Sequence, residues 1–328
     1  MISAISSAVT VLLSKWICHS SMTKHWIITV LILLMGCERS PEQNALLTAN
    51  SFVRDNQLQA AMETVESYLK QHPDCHELLQ LRVLILLKAE QFDAAAAALR
   101  RLPAGDPVLA KALHHRDPLV RSGAARLIAE RSIPIDCGDL VRALDDSLPA
   151  VRRDCARALG QKRGCDAVKP LFRLLQDDNW FVRAEAAKAL GEIGDPRAAG
   201  WLVRLLSDGD GFVRFSAAVA LRQVASPENH DLLLAAYQRA NDQQQLNLAY
   251  ALAKLKEPAA LESLTNAVKS KDAEQRRRAA EALADYSSAE VTNALSRLIN
   301  DADPTVQQQA AISLRKTLKS TTAPDANP

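Results

Sequence analysis

Residues 181–196 read Phe-Val-Arg-Ala-Glu-Ala-Ala-Lys-Ala-Leu-Gly-Glu-Ile-Gly-Asp-Pro. Within this stretch Val182, Ala186, Ala187 and Leu190 recur at the spacing of one face of an α-helix. The Gly-Asp-Pro sequence that follows is typical of a turn that stops a helix. The stretch therefore predicts a helix with one apolar face, followed by a turn.

The same pattern occurs seven times at intervals of 31 residues. The anchor positions are Val120, Val151, Val182, Val213, Gln244, Gln275 and Val306. Five residues after each anchor stands an alanine, from Ala125 to Ala311, and eight residues after it stands Ile or Leu. An invariant alanine indicates a close crossing of helices, where a larger side chain would overpack the site.

A second helix follows in each unit. Twenty residues after the first six anchors stand Leu140, Leu171, Leu202, Leu233, Leu264 and Leu295. One helix pair cannot bury its apolar faces alone, but stacked pairs build a continuous core. The sequence therefore predicts an all-α array of antiparallel helix pairs over residues 108–318, followed by a disordered tail over residues 319–328.

These units resemble HEAT repeats of the phycobilisome-lyase-like type over about 200 residues. The resemblance implies a right-handed α-solenoid, and it is specific for fold rather than for function. It also implies a structural ladder of hydrogen bonds between the arginine that follows five of the seven anchors and an aspartate five residues before the next anchor. The ladder residues are Arg121, Arg152, Arg183, Arg214 and Arg276 with Asp146, Asp177, Asp208 and Asp301.

A second arginine stripe marks a possible binding surface. Arg142, Arg173 and Arg204 lie two residues after the core leucines, so they point away from the core. Trp201 lies close to Arg204, and Trp180, Phe181, Phe212 and Phe215 add aromatic residues to the same units. Arginine and aromatic residues are enriched at binding hot spots. The hypothesis is a partner-binding patch of Trp201, Arg204, Arg173, Arg142 and Trp180; the alternative is solvated arginines and aromatics that cover seams between units.

The N-terminus has the pattern of an export signal. Lys24 precedes an apolar core from Trp26 to Met35, which is too short to span a bilayer. The Leu34-Met35-Gly36-Cys37 sequence resembles the bacterial lipobox, which implies cleavage after residue 36 and a lipid on Cys37. An ordinary signal peptide is the alternative. Met22 is a candidate for the true start. Proteins with this motif that stay in the inner membrane usually carry Asp after the cysteine, so with Glu38 the resemblance implies the outer membrane, facing the periplasm. Residues 37–44 are then a tether.

Residues 45–107 contain a weaker repeat of 34 residues. Gln57-Leu58-Gln59-Ala60-Ala61 recurs as Gln91-Phe92-Asp93-Ala94-Ala95. The period resembles the tetratricopeptide repeat, and generic helical hairpins are the alternative. His72, Cys75 and His76 cluster nearby, but Pro73 interrupts the helix, so the cluster is interpreted as a capped turn and not as a metal site.

The sequence offers no recognisable catalytic site, cofactor motif or metal motif. Without residues 1–36 the chain has 38 basic and 38 acidic residues, which argues against nucleic acid as a partner. Cys155 occupies a buried column, and Cys137 with Cys165 is the pair that neighbouring units can bring together, although spacing alone does not fix the pairing. The predicted function is a lipid-anchored protein-interaction scaffold of the bacterial cell envelope that is not an enzyme. The alternative is an enzyme or an accessory subunit of one.

Overall fold

The computed structural model describes residues 40–162 and 165–322, with side chains as far as Lys319. The predicted signal, Cys37 and residues 323–328 lie outside the described residues. Within the described parts of the chain there are 18 α-helices and no strand. We number them α1 to α18.

The described residues form two compact units, which divide between Ile85 and Leu86. The described part of the first unit holds α1 (Pro41–Arg54), α2 (Leu58–Leu69) and most of α3 (His76–Lys88). Its core includes the fully buried Ala61, Val65 and Leu78. The division falls inside the region 45–107 to which the sequence analysis assigns one helical domain.

The second unit continues from the end of α3 with α4 (Phe92–Leu99) and α5 (Val108–Leu113). The turns before α2 and α4 have the same backbone conformation, with φ of 58° at Asn56 and 56° at Glu90. These positions are 34 residues apart, so the weak sequence repeat corresponds to a repeat in the backbone. Its resemblance to the tetratricopeptide repeat stays a prediction.

Seven anchor helices follow, and their first residues are 31 positions apart throughout. The anchor helices are α6 (Pro118–Arg131), α8 (Pro149–Gln161), α10 (Trp180–Ile193), α12 (Gly211–Val224), α14 (Asp242–Lys254), α16 (Ala273–Leu283) and α18 (Pro304–Thr322). The last of these helices extends to Thr322, four residues into the predicted tail.

Six second helices alternate with the anchor helices. They are α7 (Cys137–Ala143), α9 (Val168–Leu174), α11 (Ala199–Leu205), α13 (His230–Arg239), α15 (Leu261–Ala267) and α17 (Ala289–Leu298). Short 3₁₀ turns precede α11, α13 and α15. Side-chain caps position the anchor helices: Asn179, for example, accepts a hydrogen bond from the Phe181 amide at 3.0 Å.

The repeated columns form the core. The column alanines from Ala125 to Ala280 and the leucines of the second helices are almost completely buried. In α18, by contrast, Ala311 is exposed. The helix order, the 31-residue register and this burial confirm the predicted all-α solenoid.

Two glycines set the distance between consecutive anchor helices. A Cβ on Gly160 would lie 2.7 Å from Ala189 Cα, and one on Gly191 would lie 2.8 Å from Ala220 Cα. Only glycine permits these close approaches of α8 to α10 and of α10 to α12. Arg222 occupies the same column in α12, and α14 packs less closely on α12 than α12 does on α10.

Candidate functional site

The arginine and aspartate columns form hydrogen bonds between units. Arg183 Nε donates to Asp208 Oδ2 at 2.8 Å, and its Nη2 donates to Oδ1 at 2.9 Å. Nη1 of the same arginine donates to the carbonyl oxygens of Asp177 and Asp178. The pairs Arg121–Asp146, Arg152–Asp177 and Arg276–Asp301 have the same geometry.

Each of these aspartates also organises the next turn. The carboxylate of Asp177 accepts from Arg152 and from the Asn179 amide, while its backbone carbonyl accepts from Arg183. Although burial alone would raise the pKa of Asp177, the hydrogen bonds from Arg152 and Asn179 hold it below its ordinary value. The ladder therefore links one unit to the next through a carboxylate that stays charged.

The ladder is interrupted at the fifth unit. Arg214 donates to the carbonyl oxygens of Asp208 and Gly209 but pairs with no carboxylate of the described residues. The position where the other units carry the aspartate is Arg239, and Gln245 replaces the next ladder arginine. The interruption coincides with the looser packing between α12 and α14.

Four of the predicted patch residues lie on the second helices, and each of them contacts a neighbouring side chain. The Trp201 ring stacks on Phe172 at 5.3 Å between centroids, and the Arg204 guanidinium lies 5.1 Å from the centre of the Trp201 ring. Arg173 is exposed and pairs with Asp145 at 3.2 Å, and Arg142 is exposed and pairs with Asp139. The structure brings Trp201 and Arg204 together, while each of the other two arginines has an acidic partner of its own.

Trp180 belongs to a different group of rings. We call Trp180, Phe181, Phe212 and Phe215 the aromatic cluster. The Trp180 ring packs edge-on against Phe181 at 4.8 Å and Phe212 at 5.9 Å, and the Phe212 and Phe215 rings lie 6.5 Å apart. These residues lie in the first turns of α10 and α12. The cluster therefore joins two neighbouring anchor helices.

Much of the aromatic cluster faces solvent. The exposed fractions are 43% for Trp180, 53% for Phe212 and 38% for Phe215. Val219, one turn after Phe215 on α12, is also exposed. Neighbouring exposed apolar side chains of this size mark interaction surfaces more often than isolated ones do.

An open groove of about 570 Å³ crosses α12, α14 and α16. Phe215 lies at the groove and also belongs to the aromatic cluster. Arg222, Tyr250, Lys254 and Arg278 are among the other lining residues. No sequence pattern indicated this groove, because its residues occupy columns that vary from unit to unit.

Cys137 and Cys165 form a disulfide with a Cα–Cα distance of 5.9 Å. It joins the start of α7 to the segment before α9, the pairing between neighbouring units that the sequence left open. Cys155 is a buried free thiol, and burial raises its pKa, so it stays protonated. Cys155 is a packing residue, as its position in a buried column of the repeat predicts.

Three possible metal-ligating groups lie together in the first unit. Single ligand atoms of Glu42, Cys75 and Glu77 lie within 4.8 Å of one another. Cys75 Sγ donates to Glu42 Oε1 at 3.2 Å. Burial and the neighbouring Glu42 raise the pKa of the Cys75 thiol, which favours the protonated form over the thiolate that binds metal. The hydrogen bond accounts for the contact between Cys75 and Glu42.

Among the described helices, none has the length and apolar character that crossing a bilayer requires. The HEAT-repeat model matches residues 135–222 and 230–315, which together exceed half of the chain. The chain therefore belongs to the HEAT-repeat family. No curated protein matches the sequence.

Several solved structures of repeat proteins are similar to the chain. An engineered protein is 22% identical, with a TM-score of 0.45 and coverage of 80% of this chain and 81% of its own. The complex of CpcE and CpcF of phycocyanin lyase from Nostoc sp. PCC7120 is 22% identical, with a TM-score of 0.43 and coverage of 66% and 95%. A designed armadillo repeat protein in complex with the peptide (KR)4 is 21% identical, with a TM-score of 0.42 and coverage of 64% and 98%.

Proposed function

We propose that this protein is a lipid-anchored protein-interaction scaffold of the bacterial cell envelope, and that the aromatic cluster is its main partner-binding surface. The observation that carries the proposal is the exposure of Trp180, Phe212 and Phe215 side by side on two neighbouring anchor helices. A repeat array presents such a surface on rigid elements, which limits the entropy lost on binding.

The arrangement of the cluster supports binding rather than packing. The Arg153 guanidinium lies 5.2 Å from the centre of the Phe181 ring, and the Phe181 ring in turn packs against Trp180. Trp180 and Phe212 thus keep fixed positions while about half of each side chain stays accessible. Preorganised, exposed aromatic side chains are the usual anchors of protein interfaces.

Location in the envelope rests on two features of different kinds. Cys37 follows a short apolar segment in a lipobox-like sequence, and a disulfide such as Cys137–Cys165 forms and persists where thiols are oxidised, which supports a location outside the cytoplasm. A lipid on Cys37 would attach a folded body to the membrane surface without a spanning helix.

The scaffold proposal is tested by cross-linking and affinity purification from envelope extract. The Trp180→Ala/Phe212→Ala variant is compared with Trp201→Ala/Arg204→Glu, which alters the predicted patch on the second helices. We expect the first variant to lose the partners that the unchanged protein recovers, and the second to keep most of them.

If both variants keep every partner while remaining folded, neither surface binds them and the proposal is wrong. If only the Trp201 variant loses partners, the patch predicted from sequence is the binding surface. Recovery of an enzyme whose activity depends on this chain would favour the accessory-subunit alternative.

The anchor is tested separately with a Cys37→Ser variant. Radiolabelled fatty acid should enter the unchanged protein and not the variant, and the variant should move from the membrane fraction to the soluble fraction. Equal labelling of both proteins would contradict lipidation at Cys37 and leave the binding surface unaffected.

A further inference from the structure

We propose that the groove across α12, α14 and α16 binds an extended acidic segment of a protein partner. We call it the cationic groove and define it by the basic residues Arg222, Lys254, Arg277 and Arg278 with the rings of Phe215 and Tyr250. This inference rests on the scaffold function proposed above and adds the chemical class of the ligand.

Arg278 is the central residue of the cationic groove. Its guanidinium lies 4.1 Å from the centre of the Tyr250 ring and 5.1 Å from that of Phe215. It forms no ion pair with any carboxylate of the described residues. The guanidinium thus lies against two aromatic rings, while its N–H groups keep their capacity to bind a carboxylate with two hydrogen bonds.

Lys254 supplies the second cation of the groove, and Asp285 acts on it electrostatically without a direct contact. Its ammonium donates to the carbonyl oxygen of Gln223 at 2.8 Å, and it too pairs with no carboxylate within the described parts of the chain. Burial and the neighbouring Arg222 lower the pKa of Lys254, and burial lowers that of Arg278. A ligand carboxylate would relieve this cost for both cations.

The other arginines of the cationic groove are already neutralised. Arg222 binds Asp285 at 2.6 Å, and Arg277 binds Glu274 at 2.6 Å. Only Arg278 and Lys254, on adjacent anchor helices, are therefore available to a ligand. Two separate cations with aromatic surface beside them suit a chain that presents carboxylates at intervals together with apolar side chains.

The groove lies where an arginine replaces the glycine found at the same position of the two preceding anchor helices. Gly160 and Gly191 permit close contact between anchor helices, whereas Arg222 at the same column inserts a long side chain that donates to the Tyr250 carbonyl oxygen at 2.8 Å. Space opens between α12 and α14 as a result. The groove begins at Phe215, so a bound segment would continue onto the aromatic cluster.

A membrane surface or nucleic acid fits this site less well than a peptide does. Polyanionic surfaces bind broad basic faces, and the chain has a formal net charge of only +2. Glu281 lies inside the groove and would repel a continuous row of phosphates. A peptide can place its carboxylates beside the two cations and a neutral residue beside the glutamate.

Fluorescence anisotropy with the folded protein tests the proposal. The probe is a fluorescein-labelled peptide in which glutamate alternates with leucine, and the comparison is the same peptide with glutamine for glutamate. We expect binding of the acidic peptide, and a loss of affinity of about tenfold in Arg278→Gln/Lys254→Gln. The glutamine peptide should show at least the same loss of affinity for the unchanged protein, because it lacks the carboxylates.

Arg126→Gln/Arg131→Gln is the matched control. It also removes two positive charges, from exposed positions in α6 outside the groove, where both arginines have acidic partners. Its affinity for the acidic peptide should stay within about twofold of the unchanged protein. An equal loss in both double variants would show non-specific attraction and overturn the proposal.

A gain of affinity provides a test that unfolding cannot mimic. Glu281→Gln removes a carboxylate that lines the groove and acts electrostatically on Arg278, so repulsion of the ligand falls and the acidic peptide should bind about threefold more tightly. Unchanged or weaker binding in this variant would contradict a ligand seated at the groove.

Vesicles that contain phosphatidylglycerol test whether the ligand of the groove is an anionic lipid instead of a peptide. If these vesicles bind through Arg278 and Lys254 while the peptide does not, the ligand is a lipid headgroup and the peptide proposal is wrong. Partner capture through the aromatic cluster can succeed while peptide binding fails, so the two proposals can fail separately.

Discussion

Arg183 and Arg214 occupy the same column of neighbouring anchor helices but have different partners. Both donate to two backbone carbonyls, and only Arg183 adds a bidentate contact to an aspartate. Arg183→Lys keeps the charge and loses the fork, so we expect the free energy of unfolding to fall by about 1–2 kcal/mol. Urea denaturation followed by circular dichroism measures the change.

Arg214→Lys is the control for that substitution. It loses the carbonyl contacts but no carboxylate contact, so it should cost less than about 1 kcal/mol. Equal losses in the two variants would mean that the aspartates add nothing and that the arginines act only through the carbonyls.

His230 gives the protein a small dependence on pH. Its Nδ1 lies 3.1 Å from Asp231 and its Nε2 lies 2.8 Å from Glu257, and both acids raise the pKa of the imidazole. A raised pKa in the folded state means that the protonated form stabilises the fold. This contribution is present below the unfolded pKa of about 6.5 and is lost as pH rises through the folded value.

Melting of the protein and of His230→Gln should reveal that contribution. The melting temperature of the unchanged protein should exceed that of the variant by more at about pH 5.5 than at about pH 8. A constant difference between the two proteins across this range would show that His230 stabilises the fold only as a neutral group.

The spacing of anchor helices depends on single glycines. A methyl group on Gly191 would meet the backbone of Ala220, which cannot move without shifting α12, so Gly191→Ala should destabilise the protein by about 1–2 kcal/mol despite the better helix propensity of alanine. Gly200 in α11 has 3.7 Å to its nearest neighbour, Leu232. Gly200→Ala should therefore be neutral or stabilising, and thermal unfolding of both variants tests the contrast.

The disulfide constrains α7 relative to the segment before α9. It closes a loop with a sequence separation of 28 residues, so Cys137→Ser/Cys165→Ser should lower the free energy of unfolding by about 3 kcal/mol. Cys155→Ala, which restores the usual residue of a buried column, should change it by less than about 1 kcal/mol. A similar loss in both variants would point to general damage of the core instead of the missing bond.

The 31-residue register of the array could be predicted from sequence because it depends on the space available at each helix crossing. Each alanine of the repeated column needs only to fit one helix crossing, so the requirement recurs in every unit and can be seen as a period. The ladder was expected from the resemblance to HEAT repeats, since repeated arginines and aspartates do not by themselves show that they meet. Its interruption at Arg239 and Gln245 is also visible in the sequence once the columns are aligned.

The cationic groove could not be predicted in the same way. Phe215, Tyr250 and Arg278 meet only because Arg222 ends the glycine column and changes the distance between helices. That distance is a property of several units together, and no single motif encodes it. The change from glycine to arginine at one column was the available signal.

Uneven coupling between units should appear in the stability of the whole molecule. In a repeat array, stability is approximately the sum of the stabilities of the units and of their interfaces. A glycine contact and a ladder pair link α10 to each of its neighbouring anchor helices, α8 and α12. In α14, by contrast, Gln245 stands at the position of the ladder arginine. Amide hydrogen exchange should therefore be slower in α10 and α12 than in α14 and α16.

The Arg183→Lys variant tests whether the ladder causes this difference. It should speed exchange in α10 and α12 and leave α16 unchanged, because α16 keeps its own pair between Arg276 and Asp301. Uniform protection across the array, or equal acceleration in every helix, would show that the units unfold together. The looser packing at α14 would then open the groove without weakening the array.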